Sequence, residues 1–161
     1  MAMKSTTPSF VIHVSEVKEE EGCYPSPFDA EKLSLGKDLG TAVGSQTIGL
    51  WQELLPPGRR TSFTHAHSRE EELVYVLSGT CSLRVIPQGG SASEYPLRAG
   101  HIASFPAGTG IAHCIVNYSS SDAVLLVFGE RRSNDRCSYP EDLEYDNYVR
   151  KTKPERERHR K

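Results

Sequence analysis

The chain has no apolar run near the ~18 to 20 residues that a membrane-spanning helix needs, and its start, "MAMKSTTPSF", lacks the apolar stretch of a signal peptide. A cytoplasmic protein without membrane contact is therefore expected. Cysteine is sparse: Cys23, Cys81, Cys114 and Cys137 stand far apart and form no CxxC pair. That pattern argues against a zinc knuckle and against a disulfide framework, so four free thiols are expected. There is no internal repeat, and no helix-turn-helix segment precedes the apolar part of the chain, which counts against a transcriptional regulator. Basic charge is scarce except at the C-terminus. The tail "RKTKPERERHRK" from Arg150 holds seven Lys or Arg and two Glu, leaving twelve basic against nineteen acidic residues before it. A mixed-sign run without aromatics reads as a solvated end, and no nucleic-acid partner is expected.

What the chain does have is short apolar segments. Its 161 residues, 37% hydrophobic and 25% charged, suit one globular domain with an arm at each end. Residues 1–45, with "GCYPSPFDAEKLSLGKDLG", read as an extended N-terminal arm. Residues 46–130 contain eight segments rich in β-branched, aromatic and leucine side chains: "QTIGLWQELL", "TSFTHAH", "ELVYVLSG", "TCSLRVI", "SEYPL", "HIASFP", "IAHCIVN" and "AVLLVFGE". Turn signals such as "PPG", "PQGG" and "PAGTG" separate them, and none has a helical period. The expectation is an all-β sandwich or barrel, followed by a polar C-terminal extension over residues 131–161. In "ELVYVL" both faces are apolar, Val74 and Val76 on one side and Leu73, Tyr75 and Leu77 on the other. A one-sided sheet would alternate apolar with polar, so the outer face needs a cover from the arm or from a second subunit, and a homodimer is expected.

The stretch "THAHSREEELVYVLSG" places His65 and His67 one residue apart. Side chains at i and i+2 of a strand share a face, so both imidazoles can meet one ion. If the next strand runs antiparallel beside this one, a carboxylate from Glu70, Glu71 or Glu72 lies opposite the pair. His113, early in a later apolar strand and just after a Gly-rich turn, is the natural fourth ligand. Three imidazoles and a carboxylate suit one divalent transition-metal ion such as Zn, Mn, Fe, Ni or Co. His13, His101 and His159 fall in the arm, a turn and the tail, and read as surface residues.

These residues resemble the two motifs of the cupins. The first runs Gly58, six residues, His65-Ala66-His67, four residues, Glu72, six residues, Gly79; this match selects Glu72 among the three glutamates. The second runs Gly100, five residues, Pro106-Ala107-Gly108, then "TGIA", His113, "CIV" and Asn117, with a turn two residues longer than the usual PxGxxH. Together with the "FPAGTGIAH" turn, the "FGERRSNDRCSYPED" stretch and the "YPSPF" arm, the chain is similar to small single-domain cupins of the sugar-phosphate-isomerase-like group. The resemblance implies a double-stranded β-helix, or jelly-roll barrel, with His65, His67, Glu72 and His113 as metal ligands.

Four protein ligands leave about two open positions on a six-coordinate ion, where a small molecule with adjacent oxygens can chelate. Isomerase or lyase chemistry on such a substrate is the preferred expectation. An Fe(II)-dependent dioxygenase and a non-catalytic ligand-binding or sensor protein are the alternatives. Counting back by two from His65 puts Phe63, Thr61 and Arg59 on the inward face, where Arg59 would clamp a carboxylate or phosphate. By the same parity Glu53 shares a face with Trp51 and would serve as a base in an apolar barrel. Tyr75 falls opposite Glu72, and Cys114 points away from His113.

Overall fold

In a computed structural model, residues 8–152 are described; residues 1–7 and the tail from residue 153, including His159, lie outside them. A single 3-10 turn, Val14–Glu16, capped by the His13 side chain, precedes the sheets. The strands are β1 Glu20–Glu21, β2 Leu35–Asp38, β3 Ile48–Leu55, β4 Ala66–His67, β5 Glu72–Ser78, β6 Thr80–Ile86, β7 Ser93–Arg98, β8 Ile102–Phe105, β9 Ala112–Val116, β10 Ala123–Glu130 and β11 Cys137–Ser138. Among the described residues there are two helices, α1 Leu39–Ala42 and α2 Leu143–Thr152.

Six strands form one antiparallel sheet in the order β1-β2-β3-β10-β5-β8, and three form a second, β7-β6-β9. The second sheet is widened by the chain before β4, which bridges to β9 at Arg60–Val116 and His65–His113, and by the pairing of β11 with β4. The chain is thus a β-sandwich curled into a barrel. Its core draws Leu55, Val74, Val76, Ala123 and Leu125 from the larger sheet and Cys81 and Ile115 from the smaller. Paired residues share a face, so the inward rows read directly from the register. Val76, Leu125 and Glu53 form one row, Val74, Val127 and Trp51 the next, and Glu72, Gly129 and Gly49 the row at the rim.

The turn at Gly79 has to be glycine. Its φ is +79°, and a Cβ there would lie 2.5 Å from the Asp122 carbonyl oxygen. That turn fixes the reversal from β5 to β6 and hence the depth at which Glu72 starts its strand.

Seven of the eight segments read from the sequence become strands at nearly the expected bounds. The eighth, "TSFTHAH", is regular only at Ala66–His67. Thr61 N donates to Ile115 O at 2.9 Å and His65 pairs with His113, so residues 62–64 bulge against the single residue Cys114. The bulge turns Phe63 out of the barrel into a second apolar cluster. There it stacks on Tyr24 of the arm with centroids 3.9 Å apart and meets Tyr145 of α2 at 5.3 Å. Tyr139 and Phe28 join the same cluster. The arm is therefore more than an extended cover, since it adds β1 and β2 to the large sheet and its aromatics dock the C-terminal helix.

All four cysteines are free thiols, and their surroundings differ. Cys81 and Cys114 are buried, and burial pushes the Cys81 thiol up to about 11 and raises that of Cys114 as well. Only Cys23 is exposed. At about pH 8 a thiol titrating that high is roughly a thousandth thiolate. A disulfide reagent should therefore label Cys23 rapidly and reach Cys81 and Cys114 only after denaturation. Rapid labelling of either buried thiol in folded Cys23→Ser protein would contradict this packing.

Candidate metal centre

Backbone pairing brings the two histidine segments together. His65 N donates to His113 O at 3.1 Å and His113 N donates to His65 O at 2.8 Å, so the two residues face each other across adjacent strands. Their rings lie 5.1 Å apart. The longer turn between Pro106 and Gly110 is tied down by Gly108 N, which donates to His67 O at 3.0 Å, so its two extra residues do not displace His113 from β9.

The tautomers follow from what each outer nitrogen bonds. His65 Nδ1 donates to Phe63 O at 2.9 Å, and His67 Nδ1 donates to Asp135 Oδ2 at 2.7 Å. Both Nε2 atoms are left as acceptors, and they stand 3.2 Å apart. Glu72 Oε2 lies 3.9, 3.4 and 3.5 Å from the Nε2 atoms of His65, His67 and His113. His113 is 3% exposed and stacked on Phe105, with ring centroids 3.4 Å apart. Its contact with Glu72 lacks hydrogen-bond geometry, and both its ring nitrogens are buried with no hydrogen-bond partner.

Two nitrogen lone pairs and a carboxylate turned on one point repel one another unless a cation lies among them. A buried imidazole with no partner costs free energy in the same way. Ligand atoms bound at ~2.0–2.2 Å to one ion lie about 2.8–3.6 Å apart for angles between square and tetrahedral, a range that holds the 3.2, 3.4 and 3.5 Å separations and falls just short of the 3.9 Å between His65 and Glu72. His65, His67 and Glu72, whose ligand atoms lie within 4.8 Å of one another, therefore fit a divalent metal, and His113 faces the same Glu72 oxygen from β9. Burial, reinforced by His67 and His113 nearby, holds the pKa of His65 well below the usual imidazole value, so it is neutral and ready to donate. Burial opposes charge on Glu72, but the adjacent His113 and His67 outweigh it and hold the carboxyl well below its usual range. For His67 burial likewise opposes charge, yet the bonds to Asp135, Cys137 and Glu72 win and raise its pKa, so without the ion a proton on Nε2 takes the place of the cation, and metal binding must displace it.

Asp135 was not visible in the sequence as a site residue. Besides His67 it accepts from Ser68 Oγ at 3.2 Å, Arg69 N at 2.8 Å and Glu70 N at 3.2 Å, which fixes it against the outer side of the cluster. Burial works against its ionisation, but the His67 bond overrides it and pulls the pKa far below the usual carboxylate range. His67, Asp135 and Cys137 also place ligand atoms within 4.8 Å of one another. The oxygens of Asp135 are already occupied, so this group orients His67. Nothing in its "SND" context points to a partner 68 residues away.

The other two candidates are not brought to the cluster. The Arg59 guanidinium donates to Glu21 Oε1 at 2.8 Å and to Leu33 O at 3.0 Å, so it ties the arm to the barrel. The bulge adds two residues and so preserves parity, but Arg59 pairs opposite Asn117, four residues along β9 from His113 and about 13 Å away, and its side chain turns to the arm. Glu53 does face inward, but its row meets β10 at Leu125, about 13 Å along the strand from the Gly129 row that holds Glu72. It is fully buried and accepts from Ser34 Oγ at 2.7 Å. Tyr75 lies on the outer face beside Ile102, and the Cys114 thiol contacts Thr64 Oγ1 at 3.4 Å, away from the imidazoles.

The model of the Cupin domain family matches residues 51–129. A proposed sugar phosphate isomerase from Acidithiobacillus ferrooxidans is similar to this chain at 30% identity and TM-score 0.72, with 83% of each chain covered. A sugar phosphate isomerase of the cupin superfamily from Silicibacter pomeroyi is 28% identical at TM-score 0.72, covering 81% of this chain and 82% of its own. The fold is shared with a polyketide cyclase from Streptomyces resistomycificus, 24% identical at TM-score 0.62 over 89% of this chain and 93% of that one. No curated protein matches the sequence. With its double-stranded β-helix and both motifs in place at the rim of the barrel, the chain belongs to the cupin superfamily.

Proposed function

We propose that His65, His67, Glu72 and His113 hold one divalent transition-metal ion, and that the protein is a metal-dependent enzyme acting on a small oxygenated molecule by isomerase or lyase chemistry. The observation that supports this most is the convergence of three Nε2 atoms on one Glu72 oxygen, with His113 buried and otherwise unpartnered. Bound there, the ion supplies Lewis-acid polarisation of a carbonyl or hydroxyl oxygen. The protein supplies the rest. The Phe63 carbonyl and Asp135 hold two imidazoles in the donating tautomer, and Phe105 fixes the plane of the third. Below the rim, Val74, Val127 and Trp51 form an apolar floor that keeps water from the reacting face. His65, His67 and Glu72 retain 13, 16 and 17% side-chain exposure, so the cluster is open to a small molecule. The isomerase names of the similar proteins agree with this chemistry.

Purified protein should contain about one metal ion per chain, and His65→Ala and Glu72→Gln should lose both the ion and turnover of hydroxyketones or sugar phosphates. Asp135→Asn should fold and bind the ion about 10- to 100-fold more weakly, by competition with a chromophoric chelator. Unchanged turnover by metal-free His65→Ala protein would defeat the proposal.

The proposal extends to a homodimer through the outer face of the large sheet. Leu126 and Phe128 are only half-buried there, while Ile48, Leu77 and Ile102 are 56, 41 and 65% exposed. An apolar face on neighbouring strands matches a second copy of itself across a two-fold axis. Sedimentation should give twice the 17.8 kDa chain mass, and Ile102→Glu should give monomers. A monomeric wild type at micromolar concentration would refute the dimer.

A further inference from the structure

The sequence offers Arg59 as an anion clamp, and the structure carries that guanidinium away to the arm. Another arginine stands at the rim. Arg131 follows β10 and keeps its ladder, with Arg131 N donating to Thr47 O at 2.9 Å. By strand alternation it shares the inward face with Gly129, the residue paired with Glu72 on one side and Gly49 on the other. The side chain does fold over that face. A Cβ on Gly49 would come 3.3 Å from Arg131 Nε, and one on Gly40 would come 3.3 Å from Nη2.

Between the guanidinium and Glu72 the floor is bare backbone. Gly49 and Gly129 present no side chain, and a Cβ on Gly129 would meet nothing nearer than the Glu71 carbonyl oxygen at 3.9 Å. Two strand spacings separate Gly49 from Glu72, about 10 Å at most. A three-carbon hydroxyketone phosphate extends about 5 Å from its carbonyl oxygen to its phosphorus, and a metal–oxygen bond of ~2 Å at one end with a guanidinium–phosphate contact of ~4 Å at the other brings one such molecule from the cluster to Arg131.

The guanidinium is positioned and only partly compensated. Asp38 Oδ1 accepts from Nη2 at 3.2 Å and the Ser45 carbonyl from Nη1 at 3.5 Å, while 16% of the side chain stays exposed. Asp38 divides its charge, because it also accepts from Thr41 N at 2.9 Å and Thr41 Oγ1 at 2.7 Å as the cap of α1. The Nε–H and one hydrogen on each terminal nitrogen remain for an oxyanion, and guanidinium meets phosphate or carboxylate through paired donors.

We propose that Arg131, held by Asp38 above the Gly49–Gly129 floor, anchors the anionic group of the substrate, a phosphate or a carboxylate, while the oxygenated carbons lie at the histidine cluster. This deepens the enzyme reading and rests on it for the second half of that statement. The anchor itself does not need a metal, and Trp51, the chain's one tryptophan, reports on it, because Trp51 pairs with Asp38 across the sheet.

Metal-free protein is titrated with inorganic phosphate and with acetate while Trp51 fluorescence is followed, and calorimetry supplies a second readout. Wild type should saturate, with the tighter of the two anions naming the substrate's charged group. Arg131→Gln should bind about tenfold or more weakly, and Arg131→Lys, which keeps the charge but not the fork, should fall between. Metal content should be the same in all three proteins. Melting temperatures near wild type establish that the variants fold, and Gly49→Ala, which crowds Nε without removing it, should weaken binding in the same direction. Equal anion affinity in wild type and Arg131→Gln, or no binding by wild type in either readout, overturns the anchor. With metal restored, dihydroxyacetone phosphate should bind at least about tenfold more tightly than dihydroxyacetone, and Arg131→Gln should abolish that preference. If the preference is intact and Arg131-dependent but indifferent to Glu72→Gln, the anchor stands and the metal-enzyme reading falls.

Discussion

Two backbone hydrogen bonds between His65 and His113 determine what the rest of the site can be. They join the chain before β4 to β9, and they do so at the residues whose side chains would bind metal. Cross-strand neighbours on one face sit within reach of a common ion without any loop having to be ordered for the purpose. Glu72 then needs only to begin β5 on the facing sheet, and the tight turn at Gly79 fixes where that strand ends. The donor atoms are therefore held by sheet geometry, which tolerates little drift, and a preorganised ligand set follows from the fold.

The bulge beside this pair links the site to both ends of the chain. By giving three residues to one partner, the segment 62–64 aims Phe63 outward and offers its carbonyl to His65 Nδ1. The expelled ring becomes the centre of the aromatic cluster in which Tyr24 of the arm and Tyr145 of α2 pack. From that docked C-terminal segment come β11, paired with β4, and Asp135, bonded to His67. One irregularity thus serves the orientation of a ligand on its inner side and the anchoring of the terminal segments on its outer side.

Strand pattern was legible in the sequence because it is local, and so was the nearness of His65, His67 and Glu72. Alternation and turn residues mark β3 and β5 to β10 within a residue or two, and the i, i+2 relation of His65 and His67 survives because His65 bridges to β9 immediately before β4, past the bulge. The failures came where a count had to cross an irregularity or a partner lay far away. Parity from His65 failed at Phe63, inside the bulge, and for Arg59 it ignored the four residues along β9 that separate its register from that of His113. Glu53 obeyed its parity, but register alone says how deep a residue lies, and depth removed it from the cluster. Asp135 and Arg131 escaped notice because each acts through a partner more than sixty residues away. β2 was hidden in an arm rich in glycine and proline, and α2 carries its apolar face as tyrosines and valine, a weak helical signal.

The central claim is that three imidazoles and one carboxylate from two facing sheets grip a single ion. An X-ray absorption spectrum at the edge of the bound metal measures that ligand set directly. The account predicts a first shell of nitrogen and oxygen at about 2.0–2.2 Å with the outer-shell scattering of three imidazole rings, no sulfur near 2.3 Å, and loss of one ring in His113→Ala. A shell containing thiolate sulfur, or one unaltered by His113→Ala, would contradict it.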